Sequence, residues 1–227
     1  MVPLVSALMP TYNRRGFISR SVQCFLHQDY PNLELIVLDD GTDPVSDLIP
    51  KDSRITYVFS ESKQPYGAKM NRCFELAHGE FGIVWDDDDL YSPNRVSRQI
   101  NPLVANPALM VSGTSTLYYY VHGTYQAYKY KGTGNWIGAI AIRKTQWEQE
   151  HFDDLPSAGA DFRLLRKIPT SVWHDLKDPS IIVAAVHPNN DSKKVLAASS
   201  FIQVPWPEVQ QLTASWGVRS DLLAGTR

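Results

Sequence analysis

The chain has 227 residues, 43% hydrophobic and 20% charged, with a formal net charge of −2. That is enough apolar mass for one sizeable core; it excludes a disordered chain and lacks the strong basicity of a nucleic-acid binder, so no nucleic-acid partner is expected. Its two cysteines, Cys24 and Cys73, each stand alone in an apolar helical pattern, which argues against a zinc site or a disulfide framework and for a reducing compartment.

Strand and helix signals alternate through the first hundred residues. "PLVSALM" (3–9) is short, apolar and bounded by Pro10, which predicts a buried strand. Residues 14–28 place Ile18, Val22, Phe25 and Leu26 on one helical face. "LELIVLDDG" (33–41) predicts a second strand closed by Asp-Asp-Gly, and "RITYVFS" (54–60) a third. A helix is expected over 67–79, with Met70, Cys73, Phe74 and Ala77 inward and Gly79 at its stop. "FGIVW" (81–85) reads as a fourth strand, and 92–105 as a helix with Ser92 at its N-cap and Pro93 in its first turn.

Beyond residue 106 the pattern changes. Residues 109–144 are β-rich, with glycine-containing turns at "HG" and "GTG". Residues 152–168 read as a loop leading into a helix, 180–188 as another strand, and the tail as one or two helices around "PEVQQLTASW". The expected organisation is a single domain over 1–227, with one half at 1–106, a second at 107–190 and a helical tail at 191–227.

Alternating strands and helices with mostly apolar strands indicate an α/β fold with a mostly parallel central sheet flanked by helices, here carrying a smaller antiparallel β extension. In such sheets ligands bind beyond the carboxyl ends of the strands. "PTYN" (10–13) follows the first strand, "DDG" (39–41) the second and "DDDD" (86–89) the fourth, so these polar groups gather on one rim. Four adjacent aspartates repel one another. Asp86, Asp87, Asp88 and Asp89 are either a solvated acidic turn or a place for a cation from outside the chain.

"MPTYNR", "LELIVLDDG", "GEFGIVWDDDDLYSPNRV" and "FDDLPSAGADFRLLRK", in that order and spacing, resemble the family 2 glycosyltransferases of the GT-A fold, across about residues 4–168. The resemblance implies a nucleotide-sugar-binding half (1–106) joined to an acceptor-binding half (107–190). It implies transfer of one sugar from a nucleotide-diphosphate donor, most simply a UDP-sugar, to an acceptor hydroxyl with inversion at the anomeric carbon. Mn²⁺ or Mg²⁺ held at a DXD motif is implied as cofactor. Aligned on Pro93, Asp88 falls at the metal-ligand position and Asp86 where a carboxylate meets ribose or metal, with Asp87 beside them. Pro10, Thr11 and Tyr12 fall where the family cradles the base, and Asp39 where a carboxylate accepts from a pyrimidine N–H. Asn71 matches a family asparagine, but Met70 stands where arginine is common, so Lys69 or Arg72 is the substitute cation. Asp161 takes the general-base position; one carboxylate must accept the acceptor's proton, and the usual Glu-Asp pair reads Ala160-Asp161 here. His187 is implied as a further metal or phosphate contact, and Trp136 and Ala160 as acceptor or sugar lining; Lys193 and Lys194 suit either loop cations over the diphosphate or an ordinary exposed loop. The tyrosines of "YYYVHGTYQAYKY" suit either sugar stacking or a sheet face.

Two other functions fit parts of the pattern: a non-catalytic sugar-nucleotide or metal-binding module, and a nucleotidyltransferase of related scaffold. The latter calls for a glycine-rich phosphate loop after the first strand, and "PTYNRRGF" lacks those glycines. The acceptor can be a glycan, a lipid-linked oligosaccharide, a small molecule or a protein. No apolar stretch reaches the roughly 20 residues that cross a bilayer, and the first ten residues lack a basic n-region. A soluble, cytoplasmic protein is expected, with peripheral membrane contact left open.

Overall fold

The computed structural model describes residues 1–132, 138–155, 159–190 and 195–218. Twelve strands form two sheets among these residues. The chain begins β1 (Val5–Thr11), α1 (Arg15–Leu26), β2 (Leu33–Asp39), β3 (Ile55–Phe59), α2 (Tyr66–Leu76), β4 (Phe81–Val84). It continues β5 (Leu90–Tyr91), α3 (Arg95–Ala105), β6 (Val111–Thr114), β7 (Leu117–Val121), β8 (Ala127–Tyr130), β9 (Gly138–Arg143) and α4 (Lys144–Gln149). Last come α5 (Ala160–Lys167), β10 (Trp173–Asp175), β11 (Ile182–Val186), β12 (Phe201–Val204) and α6 (Trp206–Ser215).

The larger sheet runs β10-β6-β9-β4-β1-β2-β3, with β1 parallel to both β2 and β4 and β2 parallel to β3. The chain steps outward from β1 to β2 and β3, then returns to β4 on β1's other side. That reversal opens a crevice at the carboxyl ends of β1 and β4, the usual ligand site of such sheets. β1 is buried at every position, and alternation sorts its residues between two cores. Val5, Ala7 and Met9 join Ile18, Val22 and Phe25 of α1, while Leu8 joins Met70, Cys73 and Phe74 of α2 and Leu164 of α5.

Pro10 does not end β1, as its position suggested; the strand runs on to Thr11. Pairing with β4 stops at Leu8↔Val84, so the proline's missing N–H lies beyond its neighbour's end and no ladder bond is lost on that side. The expected Ser92 N-cap also differs. Asn94 precedes α3, and Ser92 Oγ instead donates to Asn94 Oδ1 at 2.9 Å.

The smaller sheet runs β12-β8-β7-β11-β5. The expected division at residue 106 does not coincide with a division between sheets: β5 precedes it and lies in the smaller sheet, whereas β6, β9 and β10 follow it and extend the larger one. The tail contributes a strand, β12, as well as α6. At the amino-terminal rim of the larger sheet, Glu34 accepts from Ser6 Oγ and from the His78 backbone N–H, both at 2.6 Å, and Ser6 Oγ accepts from Gly79 N–H. This network ties β1, β2 and the turn before β4 at the end opposite the crevice.

Candidate active site

The aspartate run occupies the passage from β4 in one sheet to β5 in the other. Asp87, Asp88 and Asp89 are only 7%, 8% and 6% exposed, so the run is not a solvated turn. Each is tied differently. Asp89 Oδ1 accepts from the Ala185 N–H of β11 at 2.8 Å. Asp88 Oδ2 lies 2.8 Å from His187 Nε2 and accepts from Asn190 Nδ2 at 3.2 Å. Asp86 Oδ1 accepts from the Tyr66 hydroxyl at 3.2 Å.

The cations that make this density tolerable come from elsewhere in the chain. Arg14 Nε approaches Asp87 at 3.6 Å and Asp88 at 4.0 Å, while its Nη2 donates to the Asn189 carbonyl at 2.6 Å. Arg20 Nη2 donates to the Asp88 carbonyl at 2.8 Å. Arg95 is fully buried behind the run: its Nη2 donates to the carbonyls of Val84 and Ala139, its Nε to Gln99, and its guanidinium lies 4.0 Å from the Tyr91 ring centroid. Burial pulls the Arg95 guanidinium below its ordinary range, and the nearby phenol of Tyr91 and carboxylates of Asp86 and Asp89 oppose that pull. Burial and the adjacent Asp88 push the Asp87 carboxyl well above the ordinary range.

A cavity of about 1120 Å³ opens over the crevice. Its lining includes Pro10, Tyr12, Lys63 and Lys69, Asp86 to Asp89 with Arg14 and Asn190, and Tyr66, Ala160 and Asp161. Lys69 is buried, with its Nζ 2.7 Å from Asp40 Oδ1 and donating to the Thr11 carbonyl at 3.1 Å. Lys63 Nζ stands 4.0 Å from the Tyr12 ring centroid. Asp161 lies in the first turn of α5, where the helix dipole favours a carboxylate. The residue at the N-cap is Gly159, in left-handed backbone (φ 88°). Gly67 lets α2 press against the segment leading to α5: a Cβ there would lie 1.8 Å from the Asp153 carbonyl oxygen.

Several expected site residues fall outside the cavity. Arg72 is exposed on α2, pairs with Glu75 at 2.7 Å and does not line the cavity, whereas Lys69, three residues earlier, is buried and lines it. Asp39 is fully buried, and its oxygens accept from the Gly41 and Val45 N–H groups and the Tyr57 hydroxyl at 2.8–2.9 Å. It shapes the loop after β2, while Asp40 reaches Lys69. Met70 packs in the core, and Asn71 holds the approach to α5 through Phe152 and Trp147. Trp136, Lys193 and Lys194 lie outside the described residues.

Sequence reasoning missed Tyr66, Arg14, Asn190 and Arg95. Tyr66 sits one residue before the predicted helix start. Arg95 is two residues past Pro93 and looks, in sequence, like any charge on an amphipathic helix.

A mostly parallel sheet with a smaller mixed sheet and an acidic crevice is the GT-A fold of nucleotide-sugar enzymes. The chain belongs to glycosyl transferase family 2, whose model matches residues 6–168. Among curated relatives, the putative colanic acid biosynthesis glycosyl transferase WcaA of Escherichia coli (strain K12) is 38% identical over 100 residues, covering 42% of this chain and 36% of that protein. The UDP-Glc:alpha-D-GlcNAc-diphosphoundecaprenol beta-1,3-glucosyltransferase WfgD of Escherichia coli is 34% identical over 106 residues, 45% of this chain and 42% of its own. The matches thus span less than half of these relatives. Of solved structures, the mannosyltransferase PcManGT from Pyrobaculum calidifontis, in complex with GDP-Man and Mn²⁺, superposes with a TM-score of 0.66 at 18% identity, over 84% of this chain and 59% of that one. S. aureus TarS 1–349 in complex with UDP-GlcNAc gives 0.64 at 16% identity, over 94% and 71%. At such identities the superpositions establish the fold.

Among the described residues, no three His, Cys, Asp or Glu side chains close into a metal cage; Asp88 and His187 meet as a pair. A hard divalent ion in a nucleotide enzyme is held by one or two protein groups, with substrate phosphates and water completing its shell. A buried carboxylate on a cavity wall fits that partial set.

Proposed function

We propose that the chain transfers a single sugar from a nucleoside-diphosphate sugar to an acceptor hydroxyl with inversion, Asp161 acting as general base. The observation that carries this reading is the cavity itself. It gathers Tyr12, Lys69, the aspartate run and Asp161 from loops and helices spread over most of the family-matched segment. UDP is the nucleotide this reading favours, since the WfgD relative is named for UDP-Glc and the TarS structure holds UDP-GlcNAc.

The base end belongs to Tyr12, whose ring offers a face for stacking, with Lys63 and Lys69 beside it. Arg14 brings a cation toward the diphosphate end. Asp88, with His187 beside it, would hold Mn²⁺ or Mg²⁺, and that ion supplies positive charge to the leaving diphosphate. As the bond from the anomeric carbon to the phosphate oxygen breaks, its electron pair leaves with the nucleoside diphosphate. The acceptor oxygen forms its bond from the opposite face, and its proton passes to Asp161. A single carboxylate suffices because the leaving group needs no proton.

The test is release of UDP from UDP-sugars with Mn²⁺, water serving as the default acceptor, compared between wild type and Asp161→Asn. Turnover falling while donor affinity holds supports the assignment. Equal release by both proteins, or none by either, rejects it.

A further inference from the structure

We propose that the Tyr66 hydroxyl grips the sugar ring of the donor by accepting a hydrogen bond from one of its hydroxyls, and that this sugar is neutral; the inference rests on the cavity being a nucleotide-sugar site. Tyr66 opens α2, where Gly67 packs against the Asp153 carbonyl with no room for a Cβ, so the backbone beneath the ring has little freedom. The ring packs against the core beneath α2 while the residue lines the cavity.

A phenol has one proton and two lone pairs. The Tyr66 proton is committed to Asp86 Oδ1 at 3.2 Å, so the hydroxyl offers a ligand an acceptor. Burial and the charges of Asp161 and Asp86 hold this phenol well above its ordinary range, so it keeps its proton. Tyr66 thus touches Asp86 and lies near Asp161, the proposed base, on the wall of one cavity. In a displacement reaction the carbon under attack lies between the leaving group and the base, and the base end and diphosphate end of the cavity have other residues. What remains for Tyr66 is the sugar. Its surroundings are two carboxylates and an acceptor oxygen, which welcome hydroxyl or amide N–H donors and repel an acidic sugar.

The experiment is calorimetry with Mn²⁺ on wild type and Tyr66→Phe, both checked for folding by circular dichroism. The ligands are UDP, UDP-glucose, UDP-galactose, UDP-GlcNAc and UDP-glucuronate. The expected result is that wild type binds at least one neutral UDP-sugar more tightly than UDP, and UDP-glucuronate no more tightly than UDP. In Tyr66→Phe, affinity for that neutral sugar falls about tenfold, the size of one lost hydrogen bond, while UDP affinity stays within twofold. Equal losses for UDP and UDP-sugar would mean that the hydroxyl acts on the nucleotide through Asp86, and would overturn the proposal; so would no loss for either, or tight binding of UDP-glucuronate. Failure of wild type to bind UDP at all would overturn the nucleotide-sugar reading itself, and the Tyr66 assignment with it.

Discussion

His187 Nε2 and Asp88 Oδ2 lie 2.8 Å apart, although 99 positions separate them in sequence. The histidine follows β11 of the smaller sheet, the aspartate follows β4 of the larger, and their meeting closes the seam between the sheets. Phe17 stacks on the His187 ring at 4.8 Å, which fixes the plane in which its nitrogen reaches the carboxylate.

If this pair holds the divalent ion, Asp88→Asn abolishes Mn²⁺-dependent UDP binding. His187→Ala weakens it about 10- to 100-fold, the range seen when a metal site loses a supporting group. Mn²⁺ titration followed by electron paramagnetic resonance reads both. EDTA lowers nucleotide affinity in wild type and leaves the Asp88→Asn protein where it was.

Asp161→Asn removes the proposed base but keeps the shape. The expected loss is roughly 10²- to 10⁴-fold in kcat, the usual contribution of a positioned base, with UDP-sugar affinity unchanged. Single-turnover release of UDP separates the two quantities.

Lys69 and Arg72 make a paired comparison on one helix. Lys69→Met breaks a buried ion pair with Asp40 and empties a cation from the cavity wall, so UDP affinity falls at least tenfold. Arg72→Ala touches only the exposed pair with Glu75 and leaves UDP affinity within twofold. Equal effects of the two would contradict the placement of the nucleotide.

The Glu34 network predicts a pH signature. Burial pushes the Glu34 carboxyl up, but bonds from Ser6 and from the His78 backbone and ring outweigh it, and the group titrates below its ordinary value of 4.5. A lowered carboxyl stabilises the fold above its unfolded-state pKa, and that stability is lost as pH falls through the folded-state value. Glu34→Gln therefore costs about 1 kcal/mol at pH 7 and progressively less below pH 4. Urea unfolding of both proteins across pH 3–7 measures the closing gap.

Arg95→Met leaves two carbonyls and nearby carboxylates without their buried cation, and is expected to cost about 3–5 kcal/mol. Arg95→Lys recovers only part, because an ammonium cannot span Gln99 and the Val84 carbonyl at once. Urea midpoints rank the three proteins.

Much of the first hundred residues was legible because their strands are short apolar runs ending in distinctive polar groups, and period alone separates them from helices. The rim of "PTYN", "DDG" and "DDDD" follows from parallel strands sharing one direction. Less legible were features set by long-range pairing. β10 and β12 are three or four residues long and hold their state through neighbours distant in sequence. Beside the site, spacing could not tell which of Asp39 and Asp40 pairs with Lys69, because an Asp-Asp-Gly turn serves either. Nor could it tell Lys69 from Arg72, since both sit on a helix and only burial separates them. Arg95 was invisible for the same reason: the charge that neutralises the aspartates reads as surface until the sheet is folded over it.

Gly67 gives α2 and the approach to α5 a spacing set by one absent methyl. Tyr66 and Lys69 ride on α2, the residue that would accept the proton lies in the first turn of α5, and this contact is a gauge block between the two helices. Gly67→Ala would jack the two apart without touching any reactive atom, decoupling nucleotide capture from group transfer. The reach of the enzyme's chemistry is thus calibrated at a point outside the cavity, where a single carbon is the unit of adjustment.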